Sequence, residues 1–156
     1  MNVFSDKLEL AQLFESLNRE ELAQLEFRTE HRKIAEGEYL VRQGEQGTEV
    51  FLILAGTACV EAAVPGRDEP EVLAELSEGE FVGEMVLLGR CHRIASVRAE
   101  EELEVLVWKK SDLDAVLEQN HHIGYVVMRN LATMLCERLG AADISLVQRL
   151  LYPERS

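Results

Sequence analysis

Residues 34–64, "IAEGEYLVRQGEQGTEVFLILAGTACVEAAV", are cut by glycines at 37, 44, 47 and 56 into apolar runs of a few residues each. Runs this short and this punctuated suit brief β-strands joined by tight turns, and leave little room for a helix. "PGRDEP" at 65–70 reads as a hairpin-like loop, and strand-like runs follow at "EVLAEL", "ASVRA" and "LEVLVW". In the last, Leu103, Val105 and Val107 alternate against Glu102, Glu104 and Leu106, the period of a strand. The middle of the chain is therefore expected to be a many-stranded sandwich or roll.

Both ends have a different texture. Near the start, Leu10, Leu13, Phe14 and Leu17 share one helical stripe, and Asn18 is placed to cap a second short helix containing Glu20 and Glu21. After Lys110, Ser111 is the expected cap of "SDLDAVLEQN", whose acids suit the first turn of a helix. A long helix should follow, since Met128, Leu131, Leu135, Leu139, Ala142, Leu146 and Leu150 recur at three- and four-residue spacing. Val127, Met134, Val147 and Leu151 widen that face beyond what one contact needs, which allows a homodimer through this helix. Gly140 costs about 1 kcal/mol relative to alanine there, so a bend or break is expected at that point. These boundaries give one domain over 1–156: helices to residue 30, a roll over 31–110, and helices over 111–152.

Charge narrows the function. The 156 residues carry a formal net charge of -13, which argues against a general electrostatic grip on nucleic acid or an anionic membrane. The longest charge-free run, Val50 to Val60, is too short to span a bilayer, and no apolar leader opens the chain, so a soluble cytoplasmic protein is expected. Cys59, Cys91 and Cys136 are widely spaced and form no CxxC, as expected of reduced thiols. A jelly-roll metalloenzyme would share the strand and glycine content but needs clustered histidines. His31 and His92 are isolated and the adjacent His121 and His122 lack ligand spacing, so no metal and no catalysis are expected.

The chemistry concentrates in "EGEFVGEMVLLGRCHRIASV" at 78–97. If Gly83 ends a strand and Glu84 to Leu88 form a short helical turn, the first amides of that turn face outward and a glycine entrance lets an oxyanion approach them. Arg93 adds a planar fork of donors matched to two phosphate oxygens. Glu84 accepts hydrogen bonds and would be repelled by the phosphate unless it turned to a sugar hydroxyl. The plainer alternative is that Glu84 and Arg93 form a structural ion pair in an empty pocket. Arg90, His92 and Arg98 read as solvated loop charges, and Cys91 as an ordinary loop cysteine in an electropositive setting.

In these residues the chain resembles the cyclic nucleotide-binding domains of catabolite-activator-type regulators, cAMP-dependent kinase regulatory subunits and cyclic-nucleotide-gated channels. The likeness runs from Leu10 to Leu150, through the lead-in "LFESLNREELAQL", the glycine framework and the cassette "GEFVGEMVLLGRCHRIASVRA". It implies an α+β, mainly β fold: an antiparallel β-roll of jelly-roll type flanked by N-terminal helices and a long C-terminal helix. It also implies a cassette over 83–97, in which the backbone of Gly83, Glu84, Met85 and Val86 and the side chain of Arg93 hold the cyclic phosphate and Glu84 takes the ribose 2′-hydroxyl. Ile94, Ala95 and Ser96 complete the ligand contacts.

Two departures bear on the ligand. Val86 stands where the family usually has alanine, glycine or serine, and its branched side chain is expected to crowd the phosphate. Ile94 stands where cGMP-preferring members often carry threonine, which favours cAMP and leaves cGMP as the other candidate. Ala142 and Asp143 align with the base-contacting pair on the long helix, and Asp143 can accept from either base. The resemblance implies a cAMP sensor that signals by moving its C-terminal helix to an unknown protein effector. The alternative is a nucleotide-free dimerisation or docking scaffold. Only "LYPERS" follows the long helix, so no direct reading of nucleic acid and no membrane contact are expected.

Overall fold

The computed structural model describes residues 4–89 and 92–152. Among them, eight strands form two antiparallel sheets: β1 (Glu30–Ile34), β2 (Tyr39–Val41), β3 (Glu49–Ala55), β4 (Ala58–Ala62), β5 (Glu71–Leu76), β6 (Phe81–Val82), β7 (Ser96–Ala99) and β8 (Leu103–Lys109). Their orders are β1-β8-β3-β6 and β2-β7-β4-β5. The glycine-cut pattern thus gives the expected mainly-β architecture, with helices at both ends.

The first sheet is a wall between two cores. On one face Phe51, Ile53, Val82, Leu103, Val105 and Val107 meet Val41, Ala58, Val97 and Ala99 of the second sheet. On the other, Val50, Leu52, Leu54, Phe81, Leu106 and Trp108 meet the helices. That is why Leu106 breaks the expected apolar–polar alternation of β8: both faces of this strand are buried. Phe14 packs edge-on against Phe81 and Trp108, with centroids 5.1 and 5.6 Å away. The Trp108 indole donates to the Leu25 carbonyl at 2.8 Å, so its polar edge is satisfied as its ring is buried.

The N-terminal stripe does not form one helix. The chain makes α1 (Ser5–Glu9), a single 3-10 turn (Gln12–Phe14) and α2 (Arg19–Glu26). Leu13, Phe14 and Leu17 are buried, but Leu10 points to solvent at 73 % exposure because the chain turns after it. Asn18 caps α2 as expected and does so in a full capping box with Glu21. Ser111 is not a cap: α3 (Lys110–Gln119) starts two residues earlier than expected, with Lys109 at its N-cap, and the Lys110 amide donates to the Thr48 carbonyl at 2.8 Å. The loop leading into β3 thus positions the helix start from outside.

Asn120 leaves helical geometry between α3 and α4 (His121–Leu151), and its side chain accepts from the amides of His122 and Ile123. Gly124 lets the two helices close up, because a Cβ there would sit 2.5 Å from the Leu117 carbonyl oxygen. The α4 helix runs unbroken for 31 residues through Gly140, where nothing crowds the backbone and nothing forces a bend. Its first half buries Ile123, Val126, Val127, Leu131 and Met134, whereas Leu139, Ile144, Leu146, Val147, Leu150 and Leu151 are exposed. No helix among the described residues is long and apolar enough to cross a membrane.

Candidate functional site

The cassette backbone starts where β6 stops. Gly83 adopts φ 81°, ψ 15°, a left-handed conformation that costs a side-chain-bearing residue about 1–2 kcal/mol. It opens a 3-10 turn over Glu84–Leu88, which Gly89 closes with its amide donating to the Met85 and Val86 carbonyls. The Val86 amide donates to the Gly83 carbonyl at 3.2 Å. The amides of Glu84 and Met85 lie in the first turn, where a helix offers no internal acceptor. The Val86 side chain is fully buried and directed at Gly47: a Cβ on that glycine would meet its methyl at 2.8 Å.

Arg93 is gripped by a second loop. Its backbone amide donates to the Glu45 carbonyl and its carbonyl accepts from the Gly44 amide, both at 2.8 Å. Its guanidinium donates to the Glu49 carbonyl at 2.7 Å and lies across two glycines. A Cβ on Gly47 would come within 2.5 Å of Arg93 Cζ, and one on Gly83 within 2.2 Å of Nη1. The slot therefore exists only while both positions lack side chains. Behind it, Arg32 grips the Glu49 carboxylate at 2.8 and 3.3 Å and Glu30 at 2.9 and 3.0 Å. Hydrogen bonds to Glu30 and then Glu49 push the Arg32 guanidinium further above its ordinary pKa, so this brace stays charged.

Glu84 is only 4 % exposed, and its Oε1 accepts from Arg138 Nη1 of α4, whose side chain remains half exposed. The carboxylate expected to take a sugar hydroxyl therefore faces a guanidinium from the C-terminal helix. The structure brings Gly83, Glu84, Met85, Val86 and Arg93 into one place. Ile94 is 85 % exposed beside them, and Ala95 is partly buried. Ser96 Oγ accepts from the Gln43 amide at 2.9 Å and borders a polar cavity of about 390 Å³ with Tyr39, Arg42, Glu61 and Arg67. Asp143 is exposed on α4, five residues beyond Arg138. His92 is exposed and bridges Gln46, while Arg90 and Cys91 fall outside the described residues.

Three contributors escape a reading by motif. Gly47 passes for a turn glycine, the Glu49 carbonyl has no sequence signature, and Arg138 passes for a solvated charge. One signal for Arg138 exists: it lies four residues before Ala142, on the same helix face as the expected base contact. Together the parts provide a fixed cation over a glycine turn for an anion, and a buried acceptor that can exchange a guanidinium for a hydroxyl.

Known proteins share this arrangement of chain. The profile of the cyclic nucleotide-binding domain matches residues 31–120. The cyclic AMP receptor protein of Thermus thermophilus is 32 % identical over 134 residues, which cover 86 % of this chain and 60 % of the receptor. The cAMP-dependent protein kinase regulatory subunit of Mycosarcoma maydis is 39 % identical over 87 residues, 56 % of this chain and 16 % of that one. The chain thus spans less than two thirds of either relative. Among solved structures, the Thermus thermophilus catabolite activator protein superposes with a TM-score of 0.77 at 31 % identity, over 87 % of this chain and 62 % of that one. A cyclic nucleotide-binding domain from Methylobacillus flagellatus reaches 0.80 at 21 % identity over 94 % and 82 %, a likeness of fold. With both sheets, the Arg93 slot and most of the chain inside the matched region, the protein belongs to the cyclic nucleotide-binding domain family.

Proposed function

We propose that this chain is a non-catalytic cyclic nucleotide sensor that prefers cAMP over cGMP and reports occupancy through α4. The observation that carries the reading is the Glu84–Arg138 ion pair, which ties the floor of the site to the C-terminal helix. A nucleotide whose phosphate meets Arg93 and whose ribose hydroxyl donates to Glu84 competes with Arg138 for the same carboxylate. Its capture loosens one tether of α4, so the ligand favours a different helix position from the free protein. Ile94 supports the base preference, because a hydrocarbon beside the arginine offers nothing to the guanine amino group. The names of two relatives refer to cAMP, and a cGMP-dependent protein kinase of Homo sapiens also matches, at 35 % identity over 65 residues.

The signal passes to a protein effector, and a homodimer forms through the exposed apolar half of α4. The test is calorimetric titration of nucleotide-stripped protein with cAMP and cGMP, with Arg93→Glu as control. Saturable cAMP binding, weaker for cGMP and abolished in the variant, is the expected result. Silence with both nucleotides overturns the reading and leaves a scaffold.

A further inference from the structure

The two sheets end in four edges among the described residues: β1, β6, β2 and β5. Edge strands present unpaired backbone groups, and proteins ordinarily guard them by shortness, by charged side chains, above all lysine, by proline or by bulges. Three of the four are short or carry bases. β6 has two residues, β2 has three, and β1 carries Arg32 and Lys33. β5 is different: six residues, "EVLAEL", with a bulge at Leu73, only acids for charge and no proline inside the strand. Its residues from Glu71 to Glu75 are all exposed, Val72 at 63 % and Leu73 at 57 %.

The charge on β5 itself has one sign, with Arg67 in the loop before it. From residue 68 to 82 the chain holds six acids and no base: Asp68, Glu69, Glu71, Glu75, Glu78 and Glu80. Lys7 covers Glu78, and Glu80 turns back to the Ser77 amide, but Glu69, Glu71 and Glu75 stand in solvent along the strand. A second copy pairing its own β5 here would set these carboxylates against their equals, which like-charge repulsion opposes. A basic extended chain meets no such opposition.

We propose that β5 is a docking edge for an extended, lysine- or arginine-rich segment of a partner protein, which adds to the sheet as a further strand beside β5. Main-chain hydrogen bonds hold the segment, Val72 and Leu73 pack against its apolar side chains, and Glu71 and Glu75 set its charge. The site is separate from the cassette and does not depend on whether nucleotide binds there.

The probe is a ten-residue peptide alternating lysine and valine, added to the full chain, with amide chemical shifts and hydrogen exchange read residue by residue. A glutamate–valine peptide and a lysine–valine peptide N-methylated at alternate residues are the controls. The expected result is slowed exchange at amides of residues 71–76 with the first peptide alone, weakened at least about tenfold in Glu71→Lys/Glu75→Lys and by raising salt to about 0.5 M. Val72→Lys/Leu73→Lys, which puts bases on the edge, should also abolish it. No protection in β5 overturns the proposal. So does equal binding of the N-methylated peptide, which would mean charge without strand pairing, or protection of β5 by self-association without peptide.

Discussion

Two glycines and one arginine make the slot, and the two glycines differ in what they would lose. At Gly83 an alanine meets both a left-handed backbone, costing about 1–2 kcal/mol, and the Arg93 guanidinium. At Gly47 the backbone is unstrained, and the Arg93 guanidinium and a Val86 methyl stand in the way. Gly83→Ala should therefore lower the melting temperature and weaken nucleotide binding, whereas Gly47→Ala should weaken binding at least about tenfold with the smaller change in melting. Titration and thermal unfolding on the same samples separate the two effects. Glu21 offers a second test at this scale. Burial raises its carboxyl pKa, but the hydrogen bond from His122 Nδ1, at 2.5 Å, and the Asn18 amide outweigh burial and hold it below the ordinary value. A lowered folded pKa contributes stability above the unfolded value of about 4.3, lost as pH falls through the folded one. The melting-temperature gap between wild type and Glu21→Gln should therefore be widest near neutral pH and close on acidification toward pH 3.

Among the elements, α4 joins the site to the rest of the chain. Arg138→Ala leaves Glu84 buried without its guanidinium in the free protein, a loss of about 1–2 kcal/mol after allowing for the half-exposed arginine. On the proposed function, a bound ribose hydroxyl would replace part of that partner. The variant should therefore melt lower than wild type when free and gain more from saturating cAMP, which paired melts with and without nucleotide would show. Legibility in the sequence follows contact range. Strands punctuated by glycine, the Asn18 cap and the apolar first half of α4 depend on neighbours a few residues away, and their patterns show it. Ser111 misled because a carbonyl at Thr48 decides where α3 starts, and Leu10 because the chain turns after it. Arg138 stayed hidden because its partner lies 54 residues away, and a charged side chain on a helix carries no mark of the carboxylate it will meet.

For the molecule as a whole, net charge and apolar surface pull in opposite directions. Each chain carries -13, so two chains brought together repel, yet Leu139, Leu146 and Leu150 lie exposed on one stripe of α4. Salt screens the repulsion and leaves the apolar contact, so self-association should strengthen between about 0.05 and 0.5 M salt. Leu146→Lys should abolish it at both, as sedimentation over a concentration series would reveal. The unbroken course of α4 adds a mechanical consequence. With 1.5 Å of rise per residue, Leu151 lies about 45 Å from the Asn120 junction and Arg138 about 26 Å from it. If the helix pivots at Asn120 as a rigid lever, a displacement of about 3 Å at Arg138 becomes about 5 Å at the tip.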